Sequence, residues 1–224
     1  MPIINLASGR GMLGGGGGYV EFGNVTPNIP YGDTTISLLQ VQLDIKNSAR
    51  LLLAFIGNYS STNTGTPSSV TYRGQALSQL ARAIRASGAY PAAEVWYLEN
   101  PPASVLDTVN ITMPGNTNVI ACTAAVYGDV QNLAAITGAS SSLVSAASTV
   151  LGGAPPVVID VLVKHYKSDG LACASSQTLL RSNETERATA NMNIEMGISV
   201  GYEIPVMAWS WSNTRNYGHI CVTF

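Results

Sequence analysis

The chain has 224 residues, of which eleven are Lys or Arg and thirteen Asp or Glu, giving a net charge of −2 with 46% apolar and only 11% charged residues. A soluble domain is ordinarily about 25% charged, so this balance excludes the basic stripe of a nucleic-acid surface. It points to a protein whose outside is covered by neighbouring subunits, since so uncharged a surface is poorly protected against self-association.

Residues 1–33 differ in composition from the rest. Gly14 to Gly18 are five consecutive glycines, too permissive in backbone angle and too poor in side chains to fold alone. Two readings stand: a loose tail, or an arm ordered across a neighbouring subunit through Ile3, Ile4, Leu6, Met12, Leu13, Tyr19 and Phe22. Glycine also interrupts any apolar run near Met1, so no cleaved export signal is expected.

From Thr34 onward the dominant period is two. Leu39, Val41, Leu43 and Ile45 alternate with Gln40, Gln42 and Asp44, the pattern of a strand buried on one side. The run Arg50 to Tyr59 is apolar on both faces and reads as an interior strand. Arg73-Gly74 within VTYRGQAL reads as the centre of a tight hairpin. Pro101 and Pro102 end the strand AAEVWYLEN, because proline cannot continue a ladder. Further strands are expected at 105–113, 118–127, 156–166, 171–180, 192–203, 206–212 and 217–224. The segment 79–86 fits helix or strand, and 133–150 reads as loop with a short strand.

About ten short strands separated by turn signals predict an all-β fold, an antiparallel β-sandwich of jelly-roll type. The expected organisation is a glycine-rich arm over 1–33 and one sandwich over 34–224. A chain this long buries enough core to need no metal or disulfide. Cys122, Cys173 and Cys221 are widely spaced in apolar runs and read as buried free thiols. No apolar stretch reaches the roughly 18 residues of a membrane span.

The order VTYRGQAL, VWYLENPPAS, AVYGDVQ, PPVVIDVLV and MAWSWSN resembles a recurrent β-sandwich module of phage virion proteins and bacterial surface proteins. The likeness spans residues 34–224, and its motifs specify turns and packing. One turn departs from the module's usual Gly-Val-Asp-Gln form, becoming Gly128-Asp129-Val130-Gln131. The resemblance implies a non-enzymatic virion structural protein, a capsid-surface or decoration subunit made in the host cytoplasm. Its partners would be further copies of itself and other virion proteins.

Candidate chemistry is sparse, and no metal or cofactor is expected. His219 and Cys221 share a strand face, but a catalytic dyad needs one side chain to reach the other and a third group to orient the base, and nothing nearby supplies an oxyanion hole. Glu94 and Glu99 fall on opposite faces of one strand, which does not suit a glycosidase pair. No nucleophile elbow, phosphate loop or zinc helix is present. Trp209 and Trp211 project from one strand face together with Met207. They fit core packing, or, with Trp96, an aromatic platform for a glycan. The second functional expectation is therefore a glycan-binding or host-adhesion module, in which these tryptophans would be exposed.

Overall fold

A computed structural model describes residues 10–12, 19–22, 38–59, 65–84, 91–114, 118–128, 130, 132–139, 143–155, 157–165, 170–184 and 194–223. These residues form eighteen strands and no helix, and every pairing between strands is antiparallel. The chain is thus an all-β antiparallel sandwich. Among the described residues no helix is long and apolar enough to cross a membrane.

The first ten strands are β1 (Arg10–Met12), β2 (Tyr19–Phe22), β3 (Leu38–Ile45), β4 (Ala49–Tyr59), β5 (Ser69–Tyr72), β6 (Gln75–Ala76), β7 (Ser78–Ile84), β8 (Pro91–Glu99), β9 (Ser104–Thr112) and β10 (Asn118–Tyr127). They build two sheets, β1-β2-β10-β4-β8-β7 and β3-β9-β5-β6. The remaining strands are β11 (Ala134–Ala139), β12 (Val144–Val150), β13 (Val158–His165), β14 (Ala172–Cys173), β15 (Gln177–Glu184), β16 (Ile194–Gly201), β17 (Val206–Arg215) and β18 (Tyr217–Thr223). They build two more, β11-β18-β13-β16-β15 and β12-β17-β14.

The four sheets stack in layers. One core, with Val41, Ile56, Tyr72, Ile111 and Ala121, lies between the β3-β9-β5-β6 sheet and the six-stranded sheet. A second, with Leu53, Phe55, Ile120, Val161, Met196 and Ile220, joins the six-stranded sheet to the five-stranded one. Leu162 with Trp209 and Trp211, and Val158 with Met207, then seat the three-stranded sheet on the outer face. The two central sheets are buried on both faces, which explains why β4, β10, β13 and β16 are almost continuously apolar.

The two halves share one topology. Residues 19–127 give a sheet ordered β2-β10-β4-β8-β7 and a partner ordered β3-β9-β5; residues 134–223 give β11-β18-β13-β16-β15 and β12-β17-β14. Taking β2 to β5 as the counterparts of β11 to β14, and β7 to β10 as those of β15 to β18, with the two-residue β6 unmatched, reproduces every neighbour in these orders. β7 and β15 even carry matching register shifts, at Gln79/Ala81 and Leu179/Arg181. At the face between the halves, equivalent residues touch. Tyr59 and His165, the last residues of β4 and β13, stack with ring centroids 4.9 Å apart. Two residues earlier, a Cβ on Gly57 would lie 2.9 Å from Val163 Cγ2. The expected unit of 34–224 therefore contains two like halves, and β2 adds its own strand to the first.

Local signals worked as read at several turns. Arg73 and Gly74 have φ of 49° and 78°, the backbone of a tight two-residue hairpin. Of the segment 79–86, residues 79–84 are strand, in β7, and the last two lie outside the described residues. Segment 133–150 departs from the expected loop with one short strand, since it forms both β11 and β12; small Ala and Ser residues hide the alternation that buries Ala147 and Thr149. The expected strand 171–180 is broken by a turn at Ser175-Ser176, which sends β14 and β15 to different sheets.

Candidate functional site

Asp160 is the one acidic residue in the otherwise apolar run Val157 to Val163. Its position in β13 turns it with Val158 and Leu162 toward the three-stranded sheet, because alternate residues share a face. β18 lies beside β13 with Cys221 opposite Asp160, and β16 lies on the other side with Ser199 opposite it. β17 crosses above and lowers Trp209 onto the carboxylate.

The result is a closed polar cluster inside the second half. Trp209 Nε1 donates to Asp160 Oδ2 at 2.7 Å, and His219 Nε2 donates to the same oxygen at 2.8 Å. Ser199 donates its hydroxyl to Asp160 Oδ1. Gln177 Nε2 donates to Ser199 Oγ at 2.6 Å, while Gln177 Oε1 accepts from the Ala208 backbone N–H at 2.6 Å. Thr149 Oγ1 lies 2.9 Å from His219 Nδ1, so the ring is held at both nitrogens. Asp160, Ser199 and His219 have no exposed surface. Such satisfaction is what burial of a charge demands.

The cluster contains the His219–Cys221 pair, with Cys221 Sγ 3.7 Å from His219 Nε2. Asp160 is the orienting third group absent from the local sequence, and it lies 59 residues away from His219. The arrangement nevertheless withholds the thiol from chemistry. Burial, reinforced by the Asp160 charge, pushes the Cys221 thiol well above its ordinary range, and Cys221 is itself fully buried. A nucleophile needs the thiolate and a path to substrate.

Asp160, His219 and Cys221 also bring one ligand atom each within 4.8 Å of one another. An ion held there would need the Cys221 thiolate and would displace hydrogen bonds that the Asp160 carboxylate accepts in this structure. The cluster ties the outer sheet to the sheet beneath it.

The first half holds a counterpart. Glu94, fully buried on β8, accepts from Asn58 Nδ2 and Gln79 Nε2, each at 2.8 Å, and from Trp96 Nε1 at 3.2 Å. Arg82 Nε stands 3.3 Å from its carboxylate. Burial is the largest influence and raises the Glu94 pKa, with Asn58, Arg82, Trp96 and Gln79 acting in the opposite sense. Both halves thus bury one carboxylate under an indole N–H. Glu99 lies at the exposed end of β8, so the two glutamates flank no common bond.

The tryptophans correct the platform expectation. Trp209 and Trp211 are 2% and 6% exposed, the first bonded to Asp160 and the second donating to the Val144 carbonyl at 2.9 Å. Neither offers a ring face to a sugar. Trp96 is half-buried against the first core. A surface cleft of about 350 Å³, lined by Arg50, Glu99, Asn100, Gly128, Asn132 and Leu133 among others, has no aromatic in its lining.

Of the proposed arm anchors, Met12 is in β1 and Tyr19 and Phe22 are in β2; β2 pairs with the chain's own β10 from Phe22 opposite Ala124 to Tyr19 opposite Tyr127. Ile3, Ile4, Leu6 and Leu13 lie outside the described residues. His165 closes β13 and stacks on Tyr59. Comparison with models of known families and with curated proteins finds no match to the chain.

Proposed function

We propose that this chain is a non-catalytic structural subunit of a phage particle, on the capsid surface, acting through contacts with copies of itself and with other virion proteins. The observation that carries the reading is the division of its surface from its chemistry. The reactive groups His219, Cys221 and Asp160 are buried and bonded to one another, while Val105, Leu143, Val150, Leu179 and Tyr202 are exposed on a charge-poor chain. On so uncharged a chain little opposes self-association at such residues. The motif order shared with the virion sandwich module supports the particle setting.

Native mass spectrometry of the full chain tests this. A defined oligomer is expected, and a monomer at every concentration up to that of a crowded particle lattice would overturn it. The glycan-adhesion alternative loses its main support with the burial of Trp209 and Trp211, and a glycan array is expected to show no selective binding.

A further inference from the structure

Each of the four sheets has two edges, and the eight edges are not equally guarded. A free edge is a template for another strand, which proteins blunt with charge, proline, irregular register or brevity. β1, β3, β7 and β15 carry charged residues in their sequences, namely Arg10, Asp44, Arg82, and Arg181 with Glu184. Register shifts interrupt β3, β7, β12 and β15. β6 and β14 are two residues long.

β11 has none of these guards. Its six residues, Ala-Ala-Ile-Thr-Gly-Ala, hold no charge and no proline, and they pair with β18 in unbroken register from Ala134 to Ala139. In the first half the equivalent strand β2 has its outer side covered by β1. Among the described residues no strand covers β11 in the same way.

We propose that β11 pairs antiparallel with β11 of a second copy across a two-fold axis, merging two five-stranded sheets into one continuous sheet. This rests on the assembly reading above and names its contact. Charge selects a second copy as the occupant. About a two-fold axis residue i faces residue j and j faces i, so only residues at the axis meet their own kind; a charge there would meet its like, which is destabilising directly across strands. From Val130 to Ile159 there is no charged residue at all. Such an edge suits self-pairing and offers nothing to attract a charged partner strand. Leu143 and Val150, just before and at the end of β12, are 58% and 69% exposed and add no charge to this side of the molecule.

The test is sedimentation velocity on the full chain, with Thr137→Lys and Ala139→Lys at exposed β11 positions and Ser78→Lys at the guarded β7 edge as control. The unaltered chain and Ser78→Lys are expected to sediment at twice 23.4 kDa or a higher even multiple. The β11 variants are expected to lose a factor of two in mass while keeping the far-ultraviolet spectrum of the parent. Hydrogen exchange should show the β11 amides protected in the parent and released in Thr137→Lys. An oligomer that both lysine variants leave intact would overturn the β11 pairing while leaving the assembly reading standing. A monomeric parent would overturn both.

Discussion

Trp209 and Asp160 join two layers of the molecule: the indole N–H of a strand in the outer sheet ends on a carboxylate of the sheet below, 2.7 Å away and out of reach of water. Replacing Trp209 with Phe keeps most of the apolar contact and removes one donor from a buried charge. An unsatisfied buried acceptor costs about 1–3 kcal/mol, more when charged. Urea unfolding of Trp209→Phe should therefore show a loss of at least that order, with an unchanged slope. An equal stability of parent and variant would mean that the carboxylate finds another donor.

The same burial governs fluorescence. Trp209 and Trp211 should be shielded from iodide, and the quenchable share of emission should belong to the half-buried Trp96. Trp96→Phe is expected to remove most of the iodide-accessible signal. Strong quenching that survives this change would place the other two indoles at the surface and revive the glycan platform.

Much of this fold is legible in the chain. The alternation from Leu39 to Ile45, the Arg73-Gly74 turn and the Pro101-Pro102 stop are local signals, and the structure uses each where the sequence places it. What escaped is non-local. The internal repeat lies in strand order, and the apolar runs ARLLLAFIGNY and VIDVLVKH share a role rather than residues. The polar cluster escaped for the same reason, since Asp160 and Trp209 are 49 residues apart. One signal was available: Asp160 and Lys164 stand on the same face of a strand that is otherwise apolar. A charged residue inside such a run needs a buried partner.

Glu94 sets a pH dependence. Burial raises its folded-state pKa above the ordinary 4.5, so the folded state holds this proton more tightly than the unfolded state. The stability linked to that proton is present in full below about pH 4.5 and is lost as pH rises through the folded value. The unfolding free energy of the parent minus that of Glu94→Gln should therefore fall between pH 4 and pH 7. A difference that grows with pH would mean that Asn58, Gln79, Trp96 and Arg82 together outweigh desolvation.

The raised thiol of Cys221 predicts inertness. Under native conditions an aromatic disulfide reagent should leave Cys122 and Cys221 unmodified, both being fully buried, and should reach only the half-buried Cys173 slowly. All three should react in urea. Fast native reaction at Cys221 would show that the cluster opens and would return the His219–Cys221 pair to consideration as chemistry.

Lys164 and Glu195 form a buried ion pair in the C-terminal half, facing each other in register on β13 and β16 with Nζ 2.6 Å from Oε2. Lys164 has no exposed side-chain surface and Glu195 only 5%. Removing one partner leaves an uncompensated charge in the interior, which costs about 3–5 kcal/mol. Replacing both with apolar residues of similar volume removes the desolvation penalty along with the attraction, and such exchanges are often neutral or stabilising. Lys164→Met and Glu195→Leu are each expected to be strongly destabilised, and the double variant to recover most of the loss. A double-mutant cycle by chemical denaturation measures the coupling, which should be favourable and large because the residues touch. Additive losses would instead show that each charge is held mainly by other groups around it.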